Sequence, residues 1–335
     1  MSASPAPVPG PPAPLTGPEP RPDVPPVLAE VVRSGFVEGR HRGHLVVLAA
    51  DGGVERVLGD ADAPVFPRST NKPMQAAAIL RAGVPLTGRR LALTAASHSG
   101  ESFHLELVRT LLTEYGLTAD QLQCPPDLPL DATEAEAYLA AGGTRDRVTM
   151  NCSGKHTAML AACLRNGWPL DSYLDPDHPL QLLVRDTVED AAGETVAATG
   201  TDGCGAPLFA LSLTGLARAF RSFVRAPEGG PARPGADAMR SHPEYVAGTR
   251  RADTWLMRAV PGTLAKMGAE AVQAVALPDG RALAFKIEDG GGRALGPVLA
   301  RVLHQLDVHD EVVDRIGRAP LTGGAAEVGA VRPAF

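Results

Sequence analysis

The chain has 335 residues, 44% hydrophobic and 21% charged, an ordinary globular composition with length for one large domain or two intimate ones. A formal net charge of −6 without a long basic run argues against nucleic acid, and no run approaches the roughly twenty apolar residues that span a bilayer. Four cysteines are too few for a disulfide framework, and the N-terminus lacks the basic start and apolar middle of a secretory signal, so a cytoplasmic location is expected.

Residues 1 to about 26 are dominated by proline and small residues, which bury too little apolar surface to offset ordering; a disordered tail is predicted there. Structure is predicted to begin at VLAEVVRSGFVEG. It continues through GHLVVLAADGGVERVLGD, two β-rich runs around Asp51-Gly52-Gly53. From Arg68 to about residue 260 the periodicity turns helical, in KPMQAAAILRAG, SFHLELVRTLLTEYG, KHTAMLAACLRNG, HPLQLLVRDTVEDAAG and PLFALSLTGLARAFRSFV. AVQAVALPDGRALAFKIED then gives a second hairpin around Pro278-Asp279-Gly280, and GRALGPVLARVLHQLD a closing helix. Hairpins are marginal separately, so the economical arrangement joins them into one antiparallel sheet with helices packed on it. This is an α/β (α+β type) architecture. A single domain over 27–335 is expected, with a sheet lobe (about 27–66 and 262–335), a helical lobe (about 67–261) and a cleft where they meet.

Four stretches look unlike packing. In PRSTNKPMQ, Ser69 stands three residues before Lys72, which puts both on one face of a helix. A lysine made easier to deprotonate there takes the serine's proton and yields a nucleophile. The alternative is that Ser69 merely caps a helix starting near Thr70 or Asn71, since Pro73 is tolerated only in a first turn. In TAASHSGES, Ser97, His98 and Ser99 are candidates for a second hydroxyl or an acid–base group, against simple capping by Ser99 or Ser102. MNCSGKHTAM and GTDGCGAPLF bring in Cys152, Lys155 and Cys204. Two thiolates favour zinc but fall short of a closed four-ligand site, and free cysteines are usually small buried residues, as Cys124 and Cys163 are read to be. A Cys152–His156 nucleophile pair lacks an orienting third group. In GTLAKMGAE, an isolated Lys266 among small residues suits a crevice that lowers its proton affinity, although most lysines lie on the surface.

Taken together and in this order, PRSTNKPMQ, ASHSGE, NCSGKHTAML, TDGCGAP, AKMGAE and FKIEDGGGRA resemble the asparaginase II family, the rhizobial-type L-asparaginases. The resemblance implies hydrolysis of L-asparagine to L-aspartate and ammonia, on a fold similar to serine β-lactamases and penicillin-binding proteins. It implies two Ser-Lys pairs, Ser69 with Lys72 and Ser97 with Lys266, with Arg68, His98 and Asp202 as substrate-binding residues. It also implies a non-catalytic zinc held by Cys152, Lys155 and Cys204, no required cofactor, and a homodimer. Ala271 departs from the family pattern, where glycine follows GAE. Two other readings compete. A β-lactam or peptide amidase would use the same fold, but the Ser-Asp-Asn and Lys-Thr-Gly strings are absent; a non-catalytic amino-acid or zinc-binding protein would need a broken Ser and Lys set, which is complete here.

Overall fold

The computed structural model describes residues 24–230 and 232–335. Three strands open the described chain, β1 (Val27–Arg33), β2 (Phe36–Leu48) and β3 (Val54–Leu58). Ser34 and Gly35 both have positive φ, forming the two-residue turn whose twist suits the strands it joins. Six helices follow: α1 (Lys72–Arg81), α2 (Gly88–Thr94), α3 (Ser102–Glu114), α4 (Ala132–Ala140), α5 (Ser153–Asn166) and α6 (Pro179–Ala192). A small hairpin, β4 (Ala198–Thr201) and β5 (Pro207–Ala210), precedes α7 (Leu213–Val224), α8 (Arg233–Ser241), α9 (Pro243–Val246) and α10 (Ala252–Ala259). The chain closes with β6 (Leu264–Gly268), β7 (Val272–Ala276), β8 (Ala282–Ile287), α11 (Leu295–Gln305), α12 (Glu311–Gly317), β9 (Pro320–Gly323) and β10 (Ala326–Pro333). Among the described residues no helix is long and apolar enough to cross a membrane.

Strands from the two ends of the chain form one antiparallel sheet in the order β6-β7-β8-β2-β1-β10-β9, with β3 also paired to β2. β2 is the splice between them, pairing with β1 through residues 36–42 and with β8 through residues 43–48. Gly43 stands at the changeover. A Cβ there would lie 2.1 Å from the Lys286 carbonyl oxygen, so the close approach requires glycine. β7 is buried at every residue because α7 lies across β2, β7 and β8 while α11 packs on β1, β7 and β10. Ser212 caps α7, accepting from the Gly215 N–H and donating to Glu194, and Leu213, Leu216, Phe220 and Phe223 give the helix its apolar stripe.

The structure is mixed α/β with a curled antiparallel sheet, as expected, and both expected hairpins form, turning at Gly52 and Gly280 with positive φ. It also corrects the sequence reading. The helix expected over 207–224 starts only at Leu213, because the buried run Pro207–Ala210 is strand β5 and Ser212 caps the helix behind it. No strand is read from the sequence after residue 307, yet β10 returns to pair with β1. Of the tail expected over 1–26, residues 1–23 lie outside the described residues. The carbonyls of Pro25 and Pro26 accept hydrogen bonds from Arg42 and the Gly43 N–H, so the end of that segment is docked on β2.

Candidate active site

The helical run that carries Ser69 opens as a single 3-10 turn, Arg68–Asn71, before α1 begins at Lys72. Arg68 adopts φ +52°, a left-handed conformation that costs about 1–2 kcal/mol in a non-glycine residue and clusters at functional sites. β6 lies against this turn: a Cβ on Gly268 would sit 3.1 Å from the Ser69 backbone nitrogen. A cleft of about 190 Å³ results, lined by Ser69, Ser97, Asn151, Arg251, Met267 and Gly268 among others.

Ser97, in the loop between α2 and α3, is held by its N–H to the Val246 carbonyl. Its Oγ lies 2.8 Å from Lys72 Nζ and 3.1 Å from Lys266 Nζ. Both lysines are buried, at 1% and 0% exposure, so the two amines sit beneath the cleft with the hydroxyl between them. Lys72 gives its remaining donors to the Ala96 carbonyl at 2.6 Å and Cys152 Sγ at 3.0 Å. Three donors thus meet three acceptors, and none is Ser69. Lys266 also donates to the Met267 carbonyl at 2.8 Å. Burial pulls Lys266 down to about 7, against the pull of the Asp253 carboxylate and with the help of Lys72 and Arg251.

A second polar cluster adjoins the first through Cys152, at the N-cap of α5. Cys204 and burial raise the Cys152 thiol well above its usual range, while Cys152, with Lys155 and His156, holds Cys204 well below its own against burial. Lys155 donates to Cys204 Sγ at 3.1 Å. Burial opposes the Lys155 ammonium, but the sulfur charges overcome it and raise its proton affinity. His156 bonds Tyr173 through Nδ1 at 2.7 Å, and its buried Nε2 has no partner. The two sulfurs are suitable soft donors for zinc, but as arranged Lys155 is their ion partner rather than a ligand. Among the described residues, no group of three or more His, Cys, Asp or Glu side chains converges as a metal site. The donor set therefore fits the ion only in part.

The structure gathers Ser69, Lys72, Ser97 and Lys266 around one cleft, although the sequence expectation pairs Lys72 with Ser69 and the geometry pairs it with Ser97. Arg68 lines a neighbouring hollow, bonded to Asp202 at 2.8 Å and 3.7 Å from Glu270. His98 lies behind the cleft wall, fully buried, with Nε2 2.9 Å from Ser153 Oγ and its ring stacked on His104. Burial lowers its proton affinity, as do the charges of His104 and Lys72. Sequence reasoning missed Asn151, Arg251 and Asp253. Asn151 is the first residue of the NCSGKH motif and could have been included, whereas Arg251 and Asp253 look like ordinary charged residues at a helix start.

No curated protein matches the sequence at a significant level. Similar chains among solved structures include a β-lactamase from Mycobacterium bovis, 17% identical with TM-score 0.41, covering 82% of this chain and 93% of that one. A Bacillus glutaminase is 13% identical with TM-score 0.38, covering 79% and 91%. EstCE1, described as a hydrolase with promiscuous acyltransferase activity, is 14% identical with TM-score 0.39, covering 82% and 93%. The match that decides is to the L-asparaginase II family: it extends over residues 29–333, from the first strand to the last and across every side chain of the cleft, and the chain belongs to that family.

Proposed function

We propose that the protein hydrolyses L-asparagine to L-aspartate and ammonia by Ser-Lys nucleophilic catalysis. The observation that carries the reading is the Ser97 hydroxyl bridging two buried lysine amines beneath a cleft that also presents Ser69. A primary amide is a poor electrophile, and a covalent route divides one hard step into two. Ser69 Oγ attacks the side-chain carbonyl, and its proton passes into the Lys72–Ser97–Lys266 cluster. There Lys266, lowered to about 7, is the base available near neutral pH. In this reading the oxyanion is received by backbone N–H groups of the cleft wall, with Ser69, in the first turn of its helical run, and Ala269, just past β6, as the candidates that line the cleft. As the adduct collapses, the cluster returns the proton to nitrogen through Ser97 and ammonia departs. Water then attacks the acyl-serine with the same groups serving it, releasing L-aspartate and restoring Ser69. Asp202, steadied by Arg68, is assigned to the α-ammonium, and His98 supports the Ser97 loop from behind.

The enzyme acts in this reading as a homodimer without a required cofactor, as the family resemblance implies, and in the cytoplasm, as the small cysteine content suggests. Zinc, where it binds, takes Cys152, Cys204 and the neutral amine of Lys155, and no chemical step is routed through it. Because Cys204 and burial keep the Cys152 thiol protonated and the sulfurs raise the proton affinity of Lys155, zinc must displace a proton from each. Chelator competition should show affinity rising with pH, and less steeply in Lys155→Met; an unchanged slope in that variant would remove Lys155 from the ligand set. The function itself is tested by ammonia release from L-asparagine and L-glutamine, with a chromogenic β-lactam alongside. L-Asparagine should be favoured over L-glutamine about tenfold or more, the discrimination one methylene supports. Equal rates, or activity on the β-lactam alone, would overturn the proposal.

A further inference from the structure

The polar side chains around the cleft are not equally occupied. Lys72 and Lys266 are wholly buried and hydrogen-bonded beneath it. Arg68 is neutralised by Asp202 at 2.8 Å and approached by Glu270 at 3.7 Å. Arg250 points away and is paired with Asp131 and Glu134 at 2.8 and 2.6 Å. Arg251 differs from all of these. It lines the same cleft as Ser69 and Ser97, is half-buried, and has no carboxylate within salt-bridge distance among the described residues. Its side-chain contact is the Met267 sulfur, 3.1 Å from Nη2. A thioether is a weak acceptor and balances no charge, so a partly desolvated guanidinium remains without an anion.

We propose that Arg251 is the carboxylate-recognition residue of the cleft, taking the α-carboxylate of the substrate while the side-chain amide faces Ser69. The assignment rests on the asparaginase reading and narrows it to ω-amides that carry a free carboxylate. A planar guanidinium presents two parallel N–H donors that match a carboxylate, and the strength of such charge-assisted pairs suits a residue that must orient a small zwitterion. The position is also fixed. Arg251 is the N-cap residue of α10, and two residues on, Asp253 accepts the Met267 N–H at 2.8 Å, tying the start of α10 to β6. The carboxylate site and the lysine-bearing strand therefore keep one spacing. The cleft itself is small, about 190 Å³, which favours L-asparagine over its longer homologue.

The test uses ammonia release from three amides: L-asparagine, succinamate (which keeps the carboxylate and lacks the amine) and 3-aminopropanamide (which lacks the carboxylate). Wild-type enzyme should prefer succinamate to 3-aminopropanamide. Arg251→Gln should cut kcat/KM for both acids about 100-fold, chiefly through KM, with the amide lacking a carboxylate changed less than about threefold. Arg251→Lys, which keeps the charge without the fork, should recover part of that loss. Calorimetry of L-aspartate binding to wild-type and Arg251→Gln protein gives a readout independent of turnover and should show the same loss. Unchanged KM for both acids, equal loss on all three amides, or unaltered L-aspartate binding would overturn the assignment. Failure of the asparaginase reading looks different: wild-type protein would then release no ammonia from L-asparagine, and the calorimetric comparison would still decide the role of Arg251.

Discussion

Lys72 directs its three donors to the Ala96 carbonyl, Ser97 Oγ and Cys152 Sγ, which leaves the Ser69 hydroxyl facing the cleft without a lysine partner. The two serines then have different expected failures. Ser69→Ala should abolish turnover and leave no covalent intermediate. Ser97→Ala should slow turnover by about 100-fold or more yet let an acyl adduct build up on Ser69, visible by mass spectrometry. An adduct on Ser97 in Ser69→Ala would exchange the roles. Lys72→Ala should be as inactive as Ser69→Ala, and the double mutant little worse, since the residues act as a unit. The pH profile follows from Lys266. With its proton affinity lowered to about 7, kcat/KM should rise with pH through that value as the amine becomes a base. Asp253→Asn removes the carboxylate that favours the protonated amine, so this limb should move to lower pH; an unmoved limb would assign the titration elsewhere. The four Ser and Lys residues were legible because each sits in a short polar string with little packing value. Their hydrogen-bond pairing was not, because it depends on how α1, β6 and the Ser97 loop meet in space. Arg251 and Asp253 were invisible for another reason: sequence does not show whether a charged side chain has a partner.

At the scale of elements, the loop from β6 to β7 carries a visible mark of substitution. Glu270 and Ala271 both have positive φ, at 57° and 52°, and Ala271 is the position where the family resemblance leads one to expect glycine. A Cβ in this conformation costs about 1–2 kcal/mol, partly offset because alanine restricts the unfolded chain more than glycine does. Ala271→Gly should therefore stabilise the protein by about 0.5–1 kcal/mol, a rise of roughly 2 °C in Tm. A lower Tm would show that the buried methyl contributes more through packing than its backbone strain costs. The long amphipathic helices and the Asp-Gly and Pro-Asp-Gly turns were legible because hydrophobic period and turn chemistry are local properties. β10 was not. Its sequence, AEVGAVRP, lacks a clear alternation and becomes a strand because β1 offers an unpaired edge.

For the whole molecule, acid is the expected weakness. His98, His104 and His156 are each buried, and burial holds each below the usual imidazole value of 6.5. In the unfolded chain they take up protons as pH falls through about 6.5; in the folded one they do so only further down. Over that interval the unfolded state binds more protons, so stability should fall with pH, and Tm should decline steadily from about pH 7 to 5. A flat Tm would mean the three rings protonate normally inside the fold. The antiparallel joining of the two chain ends was readable from two hairpins that needed each other, but not the order of strands, which also decides where the sheet stops. One end is β9, four residues led by Pro320 and largely exposed, too short to recruit another strand readily, and β3, five residues paired among the described residues only to β2, leaves a second short edge. The other end is β6, whose free edge is occupied from within: the Met267 N–H goes to Asp253, its carbonyl receives Lys266, and the Ser69 turn lies against Gly268. The groups gathered for amide chemistry thus also keep a second chain from adding at the β6 edge. Damage to this cluster therefore bears on self-association at that edge as well as on turnover.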